Sequence, residues 1–481
     1  MNKFTRRSFL KQSVLGAGVL GLSARSWAAV PGANEDIRLA VIGFNGRGKE
    51  HIAAWTTTAG VRLTALCDVD REVLDAEVRR LDSKGTKVEA YQDIRKLLQS
   101  KNVDAISIAT PNHWHALASV WGMQAGKDVY VEKPVSYDVW EGGKMIKAAH
   151  RYKKIVQAGT QARSSYGIKE AVQWVRKGNL GKIRLARGLC YKPRPGIGKT
   201  EGPQPVPASV DYDLWCGPAP LTPPRRRNFH YDWHWFWDYG AGDLGNQGVH
   251  QMDVARWFLG EKTLSPRVLA IGGRLGYEDD GQTPNTLIAF HDYLAAPLIF
   301  EVRGLPEKAG SEDMDEYKGA QIGVVIECEG GHVLVSDEDD GEAIAFDKDG
   351  KKIKSFKGSV SHFENFIKAV RSRNENDLNA PIREGHLSSA LCHTANISWR
   401  LGSHASADAI REQIQGDPDA LPTFNRMAEH LAANKVNLDK TPVTLGMVLK
   451  MNQGGEQFIE AKKANYLLAR RPREPFVIRM T

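Results

Sequence analysis

Residues 37–160 alternate short apolar runs with amphipathic segments, and this alternation constrains the fold of the 481-residue chain more than any other feature. The runs have the length of strands and are predominantly apolar, which is typical of parallel strands covered on both faces. They occupy residues 37–43, 62–68, 103–110, 128–134 and 154–160. Segments with helical periodicity lie between them. We therefore predict a doubly wound α/β domain over residues 36–160.

The sequence changes character after about residue 160. Residues 192–228 are rich in Pro, Gly and Arg, a composition typical of long surface loops. Runs rich in β-forming residues follow, separated by turns, and helical patterns return after them. We predict a second α/β domain over residues 161–402, with an open and largely antiparallel sheet. A helical C-terminal extension is predicted over residues 403–481.

The first 28 residues have the pattern of a twin-arginine export signal. Arg6 and Arg7 precede the motif SFLK, an apolar stretch follows, and a small-x-small cleavage pattern ends near Ala28. The apolar stretch is too short to span a bilayer. We expect export by the twin-arginine machinery, cleavage near Ala28 and a periplasmic protein. An uncleaved anchor is the alternative.

Charge and cysteine content exclude several classes of function. Of the formal net charge of +8, five units come from Lys3, Arg6, Arg7, Lys11 and Arg25 in the predicted signal. The remaining chain is too nearly neutral to favour nucleic acid or a membrane surface as a partner. The five cysteines are irregularly spaced and form no CxxC pair. We therefore predict neither a metal site nor a disulfide framework, and a single disulfide is left open.

The turn after the first apolar run, residues 43–48, has the sequence GFNGRG, a variant of the dinucleotide-binding glycine pattern. Glycines let the backbone approach a pyrophosphate at the N-terminus of the next helix. Asp68 ends the second run, 25 residues after Gly43. A carboxylate there accepts hydrogen bonds from a ribose 2′-hydroxyl and repels a 2′-phosphate. We predict an NAD cofactor in preference to NADP; a purely structural turn is the alternative.

Two further positions carry chemistry. Lys133, in the motif EKP, ends the run at 128–134, and ligands bind at the carboxyl ends of parallel strands. A lysine held there can steady a substrate hydroxyl and shuttle a proton. His250 lies beside the apolar face of an apparent helix, where it is either a packed core residue or a functional one. The aromatic motif HYDWHWFWDY upstream suits stacking on a sugar ring, and it equally suits a packed interior.

Together these motifs resemble those of the Gfo/Idh/MocA oxidoreductases over residues 36–402. The resemblance rests on the glycine turn, ATPNHWHALA, EKP and YGAGDLGNQGVHQMD. It implies an NAD-binding Rossmann domain, a substrate domain whose open sheet faces the cofactor, and redox chemistry at a secondary hydroxyl of a sugar or polyol. Lys133 matches the family's EKP lysine, and His250 matches its catalytic histidine.

The site residues predicted on this basis form three groups. The cofactor group is Gly43, Asn45, Gly46, Arg47, Gly48, Asp68, Thr110, Pro111, Asn112, His115, Glu132, Lys133 and Gln161. The catalytic group is Lys133, His250 and Asn246. The expected substrate contacts are Tyr191, Trp235 and Asp253.

Asn246 departs from the family pattern, because many members carry an aspartate at this position. An amide can hydrogen-bond a hydroxyl but cannot act as a base. We therefore expect His250 to transfer the proton, with Lys133 beside it.

An export signal and a nucleotide-binding turn in one chain constrain its function. Twin-arginine export moves folded proteins, so the cofactor can be loaded before export but not exchanged afterwards. We expect an oxidoreductase that acts on a carbohydrate and returns its tightly bound cofactor to the starting state in each cycle.

Other functions stay open. One branch of the family consists of exported NAD-dependent glycosidases, such as α-N-acetylgalactosaminidases, which oxidise the sugar transiently. That branch usually lacks the EKP lysine, so a glycosidase or lyase is the alternative here. A non-catalytic sugar-binding protein is the other alternative, and self-association is left open.

Overall fold

The computed structural model describes residues 35–336, 342–452 and 454–480. The predicted export signal at residues 1–28 lies outside them. The predicted fold class is confirmed: a Rossmann domain with a parallel sheet is followed by an α/β domain with a mostly antiparallel sheet. Within the described residues, no helix combines the length and apolar character needed to cross a membrane.

The N-terminal domain is built on a six-stranded parallel sheet of order β3-β2-β1-β4-β5-β6. Its strands are β1 (Ile37–Ile42), β2 (Val61–Cys67), β3 (Glu89–Tyr91), β4 (Ala105–Ile108), β5 (Asp128–Val131) and β6 (Val156–Ala158). Its helices are α1 (Gly48–Thr57), α2 (Arg71–Asp82), α3 (Ile94–Leu97), α4 (Asn112–Gln124) and α5 (Val139–Tyr152). The strand order reverses between β1 and β4, so the carboxyl ends of these two strands border a ligand-binding crevice. The sequence pattern missed only β3, a three-residue edge strand that is not fully buried.

The second sheet has twelve strands, and its main path is β14-β13-β12-β11-β7-β10-β9-β8-β16-β15. Strands β7 and β10 are parallel, and the other paired strands of this sheet are antiparallel. The strands before the tail are β7 (Ile183–Tyr191), β8 (Arg267–Gly273), β9 (Thr286–His291), β10 (Leu298–Arg303), β11 (Ile322–Cys328), β12 (Gly331–Ser336), β13 (Ala343–Asp347) and β14 (Lys352–Phe356). The helices of this part are α6 (Tyr166–Arg176), α7 (Tyr212–Cys216), α8 (Gly242–Asn246), α9 (Gly248–Leu259), α10 (His362–Ser372) and α11 (Ile382–Arg400).

Helix α9 packs its apolar face on this sheet, as the periodicity predicts. Val249, Met252, Ala255 and Phe258 are all 0% exposed within one core cluster. Burial of the Val, Met and Phe side chains contributes about 1.5–3 kcal/mol each, which holds α9 firmly in place. His250 is next to this face and only partly buried. The packing of α9 therefore holds His250 at the rim of the sheet.

The tail differs from the helical extension predicted for residues 403–481. It contains helices α12 (Ala407–Ile414), α13 (Ala420–Ala433) and α14 (Lys462–Tyr466), but also strands β15 (Ser403–Ala405), β16 (Val443–Leu445), β17 (Leu449–Asn452) and β18 (Gln457–Phe458). β16 and β17 both pair with β8, so the tail extends the large sheet. Strands this short depend on their pairing partner more than on their own sequence pattern. Residues 467–480 form neither helix nor strand and run along the Rossmann domain.

Candidate active site

A cavity of about 370 Å³ opens at the carboxyl ends of β1, β2 and β4. The turn after β1 forms its floor, and Gly43 there has a φ of +77°. A Cβ at Gly43 would lie 2.8 Å from the backbone of Thr110, so only glycine allows this close approach. A Cβ at Gly46 would meet nothing within 4 Å, which leaves room for a ligand above the turn.

The predicted cofactor residues meet in this cavity. All of them line it except Gly48, at the start of α1, and Gln161, which lines a neighbouring cavity. Two of the lining side chains have buried polar atoms without a hydrogen-bond partner, Thr110 Oγ1 and Asn112 Oδ1. Buried polar atoms are normally satisfied, so unsatisfied ones that line a cavity suit a polar ligand. The residues therefore fit a dinucleotide.

Asp68 occupies the position expected of a ribose ligand. One carboxylate oxygen accepts a hydrogen bond from the amide of Phe44 at 3.0 Å, and the other accepts from the amide of Asp70 at 3.0 Å. Each oxygen retains a second lone pair for a ribose hydroxyl. Burial raises the pKa of Asp68 to about 6, against the opposing effect of these two backbone donors. Asp68 is therefore ionised at neutral pH.

Glu132 anchors a buried charge network between the turn and Lys133. Its Oε1 lies 3.0 Å from His51 Nε2 and 3.1 Å from Arg47 Nε, and its Oε2 accepts from the Lys133 amide at 3.2 Å. Burial raises the pKa of Glu132, but the His51 hydrogen bond and the charges of His51, Arg47 and Lys133 outweigh it and hold the pKa well below its usual range. Glu132 is thus an anion that orients Arg47 and the backbone of Lys133.

Lys133 and Asn246 join the two domains at the mouth of the cofactor cavity. Lys133 follows β5, and its Nζ donates to the backbone carbonyl of Asn246 at 2.7 Å, at the end of α8. A second cavity, of about 680 Å³, lies between this junction and the large sheet. Lys133 and Asn246 line both cavities. A substrate in the second cavity would therefore meet a cofactor in the first cavity at these two residues.

His250 faces the second cavity from the first turn of α9. Burial lowers its pKa to about 3, and the nearby charge of Lys133 lowers it further than the charge of Glu132 raises it. The imidazole is therefore neutral at neutral pH and keeps one unprotonated ring nitrogen. The structure thus brings the three predicted catalytic residues, Lys133, Asn246 and His250, to one cavity wall.

The three expected substrate contacts do not line either cavity. Tyr191 is 1% exposed and donates its hydroxyl to Glu301 at 2.8 Å. Asp253 is 0% exposed and forms an ion pair with Arg163 at 2.7 Å. Trp235 is also buried. We therefore correct the assignment of Tyr191, Trp235 and Asp253: their polar groups and rings serve packing and charge pairing inside the substrate domain.

Other residues that the sequence did not single out do line the cavities. Arg194 lines the second cavity, pairs with Asp243 through Nε and Nη2 at 2.8–3.0 Å, and donates from Nη1 to Tyr231 at 2.9 Å. His234 lines the cofactor cavity, and its ring stacks on Trp233 with centroids 3.7 Å apart. These side chains come from loops and a single 3-10 turn at Asp232–Trp235, which are too short for periodicity to mark position. The aromatic motif was the only signal that could have indicated Tyr231 and His234.

Within the described ranges, no group of three or more His, Cys, Asp or Glu side chains is arranged to hold a metal ion. The five cysteines are buried as free thiols.

Both domains match models of one protein family. Residues 37–160 match the Gfo/Idh/MocA model described as an oxidoreductase family, NAD-binding Rossmann fold. Residues 175–287 match the model described as the C-terminal alpha/beta domain of that oxidoreductase family. The predicted NAD-binding domain is therefore confirmed, whereas the preference for NAD over NADP stays a prediction that rests on Asp68.

Curated relatives match over less than half of their own length. A glycosyl hydrolase family 109 protein of Shewanella pealeana is 30% identical over 205 residues, which cover 38% of this chain and 44% of the relative. An alpha-N-acetylgalactosaminidase of Shewanella oneidensis is 30% identical over 175 residues, covering 35% of this chain and 36% of the relative.

Solved structures share the fold at low sequence identity. The WlbA dehydrogenase of Bordetella pertussis, in complex with NADH and UDP-GlcNAcA, is 20% identical with a TM-score of 0.55, over 74% of this chain and 94% of that one. An oxidoreductase structure from Thermotoga maritima is 17% identical with a TM-score of 0.56, over 75% and 97% of the two chains. These likenesses establish the two-domain architecture.

Proposed function

We propose that this chain, which carries both domains of the Gfo/Idh/MocA oxidoreductase family, oxidises a secondary hydroxyl of a sugar or related polyol with a tightly bound NAD that each cycle returns to its starting state. One observation carries the proposal. Lys133 and Asn246 stand where the cofactor cavity meets the second cavity, and His250 lines the second cavity beside them.

The residues at this junction suit proton transfer to and from a hydroxyl. Bound NAD would supply the hydride acceptor. The neutral imidazole of His250 accepts the hydroxyl proton, and the Lys133 ammonium stabilises the negative charge that develops on the oxygen. Asn246 contributes hydrogen bonds and no base. In the return half of the cycle, His250 donates the same proton back.

Retention of the cofactor is tested first. The purified protein is denatured and its supernatant assayed for NAD(H), with equimolar cofactor expected. The folded protein is then incubated with glycosides and keto-sugars, and absorbance at 340 nm is followed. We expect at most one equivalent of NADH per chain, and turnover only when a second sugar reoxidises it. NADH accumulating far beyond one equivalent would show that the cofactor is released, and would refute recycling.

The names of the curated relatives favour a second candidate, a glycosidase that oxidises the sugar only transiently. The ketone formed would acidify the neighbouring carbon–hydrogen bond. Aglycone release from a nitrophenyl glycoside, with deuterium from D₂O on that neighbouring carbon, is then expected. A keto-sugar product with the glycosidic bond intact supports the first proposal instead.

Export through the twin-arginine pathway is part of the proposal and is supported by the motif at residues 5–11. Replacing both Arg6 and Arg7 by Lys is expected to leave the protein in the cytoplasm, since the pathway reads this pair. Replacing Lys11 by Arg is the matched control and should leave export unchanged. Equal periplasmic amounts of the paired-lysine variant and the unaltered protein would refute this route.

A further inference from the structure

The outer wall of the cofactor cavity comes from the substrate domain. Residues 209–239, which we call the cover, contribute a set of lining side chains: Leu214, Trp215, His230, Tyr231, Trp233 and His234. The cover is tied to the Rossmann domain just beyond Asp68. The Arg71 amide donates to the Ser209 carbonyl at 2.9 Å, and the Asp211 amide donates to the Val69 carbonyl at 3.0 Å. A cofactor in this cavity would lie between the turn at 43–48 and the cover.

The cover has little regular secondary structure and packs around a small aromatic cluster that includes Trp215 of α7. Its only α-helix before α8 is α7, which has five residues and lies in a Pro- and Gly-rich loop. An isolated helix of this length is unstable in water, because one turn does not compensate the cost of nucleation. Contacts outside α7 must therefore hold it in place, and they comprise packing within the cover and contacts with the rest of the chain.

The C-terminal segment supplies such contacts. Residues 469–478, which we call the clasp, reach the end of α7 through Arg473. Its guanidinium donates to the Asp213 carboxylate at 2.6 Å, to the Asp213 carbonyl at 2.8 Å and to the Gly217 carbonyl at 3.1 Å. Its amide donates to the Pro218 carbonyl at 3.1 Å. One arginine thus satisfies several acceptors at the C-terminus of α7.

The other half of the clasp is fixed to the Rossmann domain. Arg470 donates from Nε to Glu141 at 2.7 Å, and its amide donates to Asp138 at 2.8 Å. Phe476 is 1% exposed and packs edge-on against Trp114, with ring centroids 5.6 Å apart. Trp114 also lines the cofactor cavity and donates its indole N–H to the Leu214 carbonyl in the cover at 3.0 Å. The clasp therefore connects the wall of the cavity directly to the Rossmann domain.

We propose that Arg473 of the clasp is a positioning residue for the cofactor site: it holds the cover against the Rossmann domain and thereby sets how slowly NAD leaves. The inference rests on the proposed function in taking NAD as the occupant of the cavity. The proposed reaction cycle requires NAD to stay bound between turnovers, and the inference gives the C-terminal tail a role in keeping it bound.

The test measures cofactor release. Full-length protein is loaded with NADH, freed of excess, and mixed with a large excess of NAD+, and the loss of bound-NADH fluorescence gives the release rate. Arg473→Met is expected to release NADH about 10- to 100-fold faster, because hydrogen bonds to a charged group are lost. The association rate should change by less than about threefold, since the cavity itself is unaltered. Arg471→Met removes the same charge two residues away, where the side chain is exposed, and should match the unaltered protein.

A second variant covers the case in which Arg473→Met is poorly folded. Asp213→Asn weakens the same contact from the cover side. The Asp213 side chain is 54% exposed, so we expect this substitution to lower the free energy of unfolding by less than about 1 kcal/mol. Faster NADH release from this variant, with an unchanged unfolding midpoint, supports the proposed role of Arg473 in slowing cofactor release. If both variants are folded and release NADH at the rate of the unaltered protein, the proposal is wrong. Slow NADH release from a protein that turns over no sugar would refute the proposed function and leave the clasp standing.

Discussion

Lys133 of the Rossmann domain and Asn246 of the substrate domain are joined by a 2.7 Å hydrogen bond from Nζ to a backbone carbonyl, at the boundary between two cavities. Lys133 Nζ is close to the backbone carbonyl oxygen of Asn246, whereas it lies 3.5 Å from the side-chain Oδ1 of the same residue. The amide side chain therefore keeps capacity to hydrogen-bond a substrate hydroxyl. The ammonium of Lys133 is held at the point where the proposed hydride and proton transfers would meet.

Replacing Lys133 by Met should lower kcat about 10²- to 10⁴-fold, the usual contribution of a positioned proton-transfer group, while the cofactor stays bound. The measurement is steady-state turnover of the substrate found in the glycoside screen, with NAD(H) content assayed alongside. Lys127→Met is the matched control. Lys127 precedes the same strand β5 at its opposite end and donates to the carbonyls of Ser100 and Val103 at 2.8 and 2.7 Å. Comparable kcat values for the two variants would refute a catalytic Lys133.

Replacing Asn246 by Asp should move the acidic limb of the pH profile of kcat/KM to higher pH. A carboxylate beside His250 favours the imidazolium, and an opposite charge at this range raises a pKa by about 1–3 units. Asn246→Ala removes the amide without adding charge and should leave the limb in place. An acidic limb unmoved by the aspartate would show that His250 does not govern it.

Replacing Glu132 by Gln should lower the free energy of unfolding by about 3–5 kcal/mol, because His51 and Arg47 lose a buried anionic partner. Chemical denaturation at pH 7 measures the change. Glu50 pairs with the same Arg47 from a largely exposed position. Glu50→Gln should therefore cost less than about 1 kcal/mol. Equal losses in the two variants would contradict the central place of Glu132 in the network.

Replacing Asp68 by Ala should reduce the preference for NAD over NADP at least about tenfold, because the charge that repels a 2′-phosphate is lost. Titration of both cofactors by fluorescence gives the ratio of dissociation constants. The pKa of Asp68 is about 6, so the unaltered protein should lose preference as the pH falls below that value. Asp82→Ala, at the exposed end of α2, is the control. If the ratio of the NADP and NAD dissociation constants is the same in both variants, Asp68 does not determine which cofactor is preferred.

Acid should destabilise the protein through histidines whose pKa is lowered in the folded state. Burial lowers the pKa of His113, His234, His250 and His291 to about 3. The unfolded chain therefore binds more protons than the folded one between about pH 3 and the usual histidine pKa of about 6.5. The stability is fully present above pH 6.5 and is lost as the pH falls. The raised pKa values of Asp68 and Asp138 act in the opposite direction.

His291 isolates this effect, because it is 0% exposed and neither ring nitrogen has a hydrogen-bond partner. His291→Leu should reduce proton uptake on unfolding between pH 4 and 6 by about one, since one buried neutral imidazole is removed. Denaturation midpoints across this pH range measure the slope. His404→Leu, at an exposed position, should leave the slope unchanged. If the free energy of unfolding depends on pH equally in His291→Leu and the unaltered protein, His291 is not one of the groups that destabilise the fold in acid.

The Rossmann half and the core of the site were predictable because their signals are local. The turn at 43–48 needs glycine where its backbone meets Thr110, and Asp68 and Lys133 directly follow strands whose apolar runs are continuous in sequence. Strand ends in a parallel sheet converge on one edge, so position along the run was enough to bring these residues together.

The rest depended on partners distant in sequence. Asp253 and Arg163 are 90 residues apart, and their pairing turns an expected substrate contact into a buried ion pair. The strands of the tail exist because β8 offers an edge, and Arg473 meets Asp213 across 260 residues. The sequence by itself determined the fold class and the cofactor turn, and it supplied the predicted catalytic residues that the structure brings to one cavity wall. Which polar side chains face a cavity and which are neutralised inside a domain was decided only by tertiary structure, because burial and charge pairing are properties of long-range contacts.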